Sequence, residues 1–236
     1  MIINIFPSST RGRAEHEWLH SRFSYSFAEY YNQQRMGFGM LRVVNDDIVE
    51  PGQGFGKHPH NNMEIITIPL SGSLEHRDSM GNGSVINSGE VQVMSAGTGI
   101  THSEYNPSES EKVNFFQIWI IPKKRNVVPR YDQKAFDLSK SMNSFQLLVA
   151  PEGTKEALFI YQDAYISAGR FDNDIVNTYK VKKEGNGLFL MVISGTIEID
   201  GKILQARDSA EIEDVNTIEI KALGFSEILL IEVPLS

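Results

Sequence analysis

Between Gly37 and Pro122 the chain resolves into short apolar runs separated by turn residues. Gly37 to Asp47 reads as a strand closing in an Asn45-Asp46-Asp47 turn, followed by a short strand from Asp47 to Val49. Further strands are expected over 63–70, 73–77, 91–94, 102–105 and 113–121, with turns at Ser71-Gly72, Asp78 to Gly83, and Gly97-Thr98-Gly99. Turn signals roughly every 8–12 residues predict an antiparallel sandwich or barrel. Ahead of them, the aromatic run Phe23-Ser24-Tyr25-Ser26-Phe27-Ala28-Glu29-Tyr30-Tyr31 predicts a flap packed by large side chains over something beneath.

The pattern then repeats. Met191 to Gly201 follows the same order of strand, Ser194-Gly195 turn, strand and turn as Ile65 to Gly81. Glu227 to Pro234 mirrors Phe115 to Pro122, an apolar strand stopped by proline. The expected fold is therefore all-β, with two copies of one barrel: an N-terminal barrel over 1–122, a polar connection over 123–144 and a second barrel over 145–236. The basic triplet Lys123-Lys124-Arg125 is read as part of a solvated linker.

Charge narrows the partners. The net charge of −8 leaves no basic module, since the stretch through Pro122 carries −5 and the remainder −3. Direct binding to nucleic acid or to an anionic membrane is not expected. No apolar run approaches the roughly 20 residues that span a bilayer. There is no cysteine, so disulfides, thiolate ligands and thiol nucleophiles are all excluded, and a cytoplasmic protein is expected. Any metal must sit on histidine and carboxylate.

Two short pairs supply such donors: His58-Pro59-His60 and His102-Ser103-Glu104. Side chains two apart on a strand share a face, so each pair aims both of its polar groups at one side of a sheet. Three imidazoles and a carboxylate form a ligand set for a divalent transition metal. Glu64 is a rival carboxylate, otherwise expected to orient an imidazole from behind. With Gly195 aligned on Gly72, Val181 and Lys183 stand where His58 and His60 do, and no histidine follows His102, so the second barrel has no comparable site. His16 and His20 are read as surface or hydrogen-bonding groups of the flap, His76 as structural rather than pocket-facing, and Asp46-Asp47, Asp172-Asp174 and Glu211-Glu213-Asp214 as solvated turn residues.

The spacing Gly52-x5-His58-x-His60-x3-Glu64-x7-Gly72 resembles the first cupin motif, and Gly89 onward, ending in His102-x3-Asn106, resembles the second. One extra residue before Gly72, Ser95 in place of the usual proline, and Glu104 two places after His102 make the chain similar to the pirin family of bicupins. The hairpin text Glu75-His76-Arg77-Asp78-Ser79-Met80-Gly81-Asn82 is similar as well.

That resemblance implies two cupin (double-stranded β-helix, or jelly-roll) barrels face to face. The N-terminal one would hold a single metal on His58, His60, His102 and Glu104. Iron is the usual metal, as Fe(II); Mn, Co, Ni, Cu or Zn would suit the same donors. The activity implied is ring-opening dioxygenation of a flavonol such as quercetin with O2, with Glu104 as ligand and proton acceptor. The competing reading is a metal-containing regulator acting through a protein partner, and a third is a cupin isomerase or decarboxylase.

Overall fold

A computed structural model describes residues 1–236. The first strands are β1 (Ile2–Phe6), β2 (Gly12–Glu15), β3 (Leu19–Phe23), β4 (Leu41–Val49), β5 (Gly54–His60) and β6 (Glu64–Ser71). They are followed by β7 (Ser73–Asp78), β8 (Gly83–Asn87), β9 (Glu90–Ser95), β10 (Ile100–Tyr105), β11 (Val113–Ile120) and β12 (Arg130–Ala135). The only helical elements are short 3-10 turns at Ser8–Thr10 and Leu138–Ser141, so the fold is all-β. No helix is long and apolar enough to cross a membrane.

Each half closes a seven-stranded sheet against a four-stranded one. In the N-terminal half the orders are β12-β9-β6-β11-β4-β3-β2 and β5-β10-β7-β8. The C-terminal half repeats both orders: Ser209–Glu213, Asn186–Ser194, Ser226–Pro234, Tyr165–Phe171 and Ser144–Pro151 stand where β9, β6, β11, β4 and β3 stand. The shared turn shows the duplication at one residue. Gly72 and Gly195 both adopt left-handed backbone, with φ of 72° and 84°. A Cβ on either would collide with the carbonyl of Lys112 or Phe225, just ahead of the equivalent strand, so glycine is required twice.

Two expectations about boundaries are revised. The connection over 123–144 contains β12, which pairs residue for residue with β9 and so completes the first barrel's large sheet. The second barrel takes its matching edge strand from the other end of the chain, because β1 pairs with Ser209–Glu213. Nor does β4 break at Asn45-Asp46-Asp47. It runs unbroken from Leu41 to Val49 because both carboxylates find partners inside: Asp47 accepts from Ser21 Oγ at 2.5 Å, and Asp46 lies 3.6 Å from Arg11 and from Arg207 of the second barrel. Glu211, also expected in a solvated turn, is buried, accepts from Tyr25 Oη at 2.8 Å and meets Arg35 at 3.2 Å.

The period-two alternation of the strands separates the interiors. From β6 and β11, Ile66, Ile68, Phe116, Ile118 and Ile120 point outward. They meet Phe189, Met191, Leu229 and Ile231 of the other half in a core that joins the barrels. The inward residues differ. The second barrel is filled by Leu188, Leu190, Val192, Ile228, Leu230 and their neighbours. The first buries Asn45, Asp47, Thr67, His76, His102, Glu104 and Gln117, with only small apolar clusters at its ends. Burying so much polarity is costly unless it is satisfied or used.

Candidate metal centre

Antiparallel pairing of β5 and β10 puts His102 directly opposite His58, while a bulge between His102 and Glu104 shifts the register by one residue. His58, His60 and His102 converge, with ring centroids 4.9 Å apart for His58 and His60, 4.4 Å for His58 and His102, and 4.9 Å for His60 and His102. One nitrogen from each lies within 4.8 Å of the others. Trp119 of β11 packs its ring 4.9 Å from His60, and Phe27 of the N-terminal flap packs 5.3 Å from Trp119. The aromatic flap thus covers the wall of the site, and the mouth opens between Pro59, Asn61, Ser79 and Thr101.

The protonation state suits a cation. Burial and the neighbouring imidazoles push His60 down to about 4 and His102 down to about 3, so both rings are neutral near pH 7. His58 donates from Nδ1 to the Gly56 carbonyl at 2.8 Å, which leaves Nε2 as its lone pair. The Nε2 atoms of His60 and His102 are buried and have no hydrogen-bond partner in the chain. Orphaned nitrogens of this kind are rare in a folded interior.

Glu104 is equally buried, at 2% exposure, and groups with His102 and His76 within 4.8 Å. Gln117 Nε2 donates to its two oxygens at 3.2 and 2.9 Å, and Thr67 Oγ1 lies 3.4 Å from Oε1. No lysine or arginine pairs with it. The contrast is Glu232 in the second barrel, a fully buried carboxylate satisfied by Tyr179 Oη, the Lys182 and Lys183 amides and Asn186 Nδ2. Two neutral imidazoles with orphaned Nε2 atoms, a third ring held through its Nδ1 by the Gly56 carbonyl, and a carboxylate lacking a cation beside them fit a divalent metal ion.

Glu64 is elsewhere. Inward residues of β6 are Ile65 and Thr67, so Glu64 faces the second barrel. There its carboxylate accepts from Ser95 Oγ at 2.7 Å and touches no imidazole. Burial pushes it up to about 7, against the Ser95 hydroxyl, the Tyr161 amide and Arg130. The sequence reading missed Thr67 and Gln117, whose signal was a polar residue at an inward position of an otherwise apolar strand. His76, read as structural, lies fully buried with its ring 5.2 Å from that of His102. A cleft between the barrels, lined by Ile68, Phe136, Leu148 and Leu229 with Glu90, Asp137, Arg170 and Glu227, has no histidine and offers no such donor set.

Comparison with known proteins agrees with this architecture. A family model described as Pirin matches residues 7–120, and one described as Quercetinase C-terminal cupin domain matches residues 147–233. The quercetin 2,3-dioxygenase of Escherichia coli (strain K12) is 41% identical over 233 residues, which covers 99% of both chains. A putative quercetin 2,3-dioxygenase of Pseudomonas aeruginosa is 42% identical over 96% of this chain and 97% of its own. The crystal structure of the bacterial pirin YhhW from Escherichia coli in complex with nickel(II) is 40% identical and superposes with a TM-score of 0.94, covering 100% of both chains. With both barrels matched and relatives aligned along nearly their whole length, the chain belongs to the pirin family of bicupins.

Proposed function

We propose that the protein is a metal-dependent dioxygenase that opens the ring of flavonols such as quercetin with O2 and releases carbon monoxide. His58, His60, His102 and Glu104 would hold one divalent ion, Fe(II) by preference. The observation that carries this reading is the cluster of orphaned imidazole nitrogens beside an unneutralised carboxylate in a polar barrel interior. The names borne by relatives at 41% and 42% identity support the substrate class. When bound, such an ion supplies a Lewis acid for a phenolic oxygen and a redox partner for dioxygen.

The chain's own residues supply the rest. Gln117 and Thr67 fix the Glu104 carboxylate in one orientation, so that one of its oxygens can accept the flavonol hydroxyl proton while Gln117 keeps its hydrogen bond. Trp119 and Phe27 form an apolar wall that excludes water beside His60. Both oxygen atoms of O2 end in the ring-opened ester, one on each of the two carbons that flanked the lost carbon, and that carbon leaves as carbon monoxide with the oxygen it already carried, so no external reductant is consumed. A chain with no cysteine is in keeping with a cytoplasmic enzyme.

The test is aerobic incubation of the Fe(II)-loaded protein with quercetin, following loss of its visible absorbance and release of carbon monoxide. Turnover is expected, together with its loss and weakened metal binding in Glu104→Ala. Glu64→Gln should keep both metal and turnover, because Glu64 lies on the opposite face of β6. A loaded protein that leaves quercetin intact would favour the regulatory reading, in which the same centre serves a protein partner.

A further inference from the structure

Beside His102 a chain of polar groups leads through His76 to the turn that starts at Asp78, and nothing in the proposed reaction uses it. His76 on β7 is the cross-strand neighbour of Glu104, and Asp78 that of His102. The His76 ring is fully buried between His102 and Tyr131, with centroid distances of 5.2 and 4.7 Å. His102 Nδ1 lies 3.4 Å from His76 Nδ1, and His76 Nε2 lies 3.2 Å from Asp78 Oδ2. Asp78 is anchored by its own turn: Oδ1 accepts from the Met80 and Asn82 amides at 2.9 and 3.0 Å, and Oδ2 from Asn82 Nδ2 at 2.8 Å.

With the His76 ring neutral, the donors and acceptors along this line fix where the protons sit. A carboxylate only accepts, so His76 Nε2 donates to Asp78 and, in a neutral ring, His76 Nδ1 carries the lone pair. His102 Nδ1 must then donate, which leaves the lone pair on His102 Nε2, the buried nitrogen with no partner in the chain. His58 reaches the same state more simply, by donating from Nδ1 to the Gly56 carbonyl. Outer partners of this kind set the tautomer and aim of a ligating imidazole.

We propose that Asp78 and His76 are positioning residues that hold His102 in its Nδ1–H tautomer and direct Nε2 toward the metal, the hairpin from Asp78 to Asn82 serving as the rigid anchor. This rests on the metal-centre reading above. It assigns a role to residues that do not touch the reacting atoms, and it accounts for a fully buried histidine set between a metal-facing imidazole and a turn carboxylate. The stacked ring of Tyr131, on β12, closes the relay from the side.

The proposal is tested by long-range proton–nitrogen NMR of the full chain labelled at histidine, metal-free and Zn(II)-bound, with Ni(II) affinity measured by chelator competition. In the metal-free wild type, His102 should carry its proton on Nδ1 and His76 on Nε2. His76→Phe keeps the ring and removes the acceptor; it should bind Ni(II) about 10–100-fold more weakly and show mixed His102 tautomers. His76→Gln, whose amide oxygen can accept from Nδ1, should recover most of the affinity. A His102 proton on Nε2, a doubly protonated His76, or unchanged affinity and tautomer in His76→Phe would overturn the relay. A wild type that binds no Ni(II) with His102 in the expected tautomer would instead count against the metal centre.

Discussion

Asp47 and Glu104 are both carboxylates inside the first barrel, and the barrel treats them differently. Glu104 has two donated hydrogen bonds from Gln117, whereas Asp47 has only the Ser21 hydroxyl. Burial, reinforced by the charges of Asp46 and Glu104 and opposed by Ser21, pushes Asp47 up to about 7. An unfolded aspartate titrates near about 4. Between those values the folded chain holds a proton that the unfolded chain releases, so Asp47's contribution to stability falls as pH rises and stays lost above about 7. Asp47→Asn should therefore match wild type near pH 4 and exceed it at pH 8 by about 4 kcal/mol, in denaturant melts at one fixed metal state. Equal stabilities at both pH values would show that Asp47 is ionised in the fold. At this scale the spacing of two between His102 and Glu104 predicts that both side chains face inward, and both are buried inside the first barrel. The Asn45-Asp46-Asp47 run did not reveal itself, because its composition is that of a turn. Only tertiary partners, Ser21 for one carboxylate and Arg11 with Arg207 for the other, keep it in a strand. Glu64 misled for a related reason: its face follows from the register of β6, which sequence spacing from His60 does not set.

Among the elements, the strands with strong apolar alternation, β6, β9 and β11, emerged close to their expected ends. β12 was hidden because it is an edge strand. Its residues Arg130 to Lys134 are half-exposed or exposed, and a polar edge reads like a linker until its pairing with β9 is seen. β1 was hidden by distance, since its partner lies at the far end of the chain. Deleting residues 1–6 should leave the edge Ser209–Glu213 unpaired and lower the melting temperature while leaving metal stoichiometry unchanged. A loss of metal in that truncation would mean that the second barrel's edge supports the first barrel's site. The repeated turn gives a second check. Gly72→Ala and Gly195→Ala should each destabilise by about 1–3 kcal/mol in chemical denaturation, since each needs left-handed backbone against a neighbouring carbonyl. A neutral effect at either would argue that the turn relaxes.

At the scale of the molecule, duplication kept the topology and divided the tasks. The apolar interior of the second barrel and the core between the barrels supply hydrophobic burial, which allows the first barrel to keep a polar interior for chemistry. Leu190→Ala, in the second interior, should cost about 2–5 kcal/mol of stability with no change in metal content. The repeat was visible in the order of turns and strands. The contrast in interiors was visible only in part, through the absence of histidine after His102, because inward and outward faces cannot be told apart before the sheets are paired. The central claim is that three imidazoles and one carboxylate converge to bind a single ion. Its most direct test is metal stoichiometry by calorimetric titration of metal-free protein with Ni(II), as wild type and as His58→Ala/His60→Ala/His102→Ala. The account predicts one ion per chain for the wild type and none for the folded triple variant. A wild type that takes up no ion, or a variant that binds as the wild type does, would contradict it.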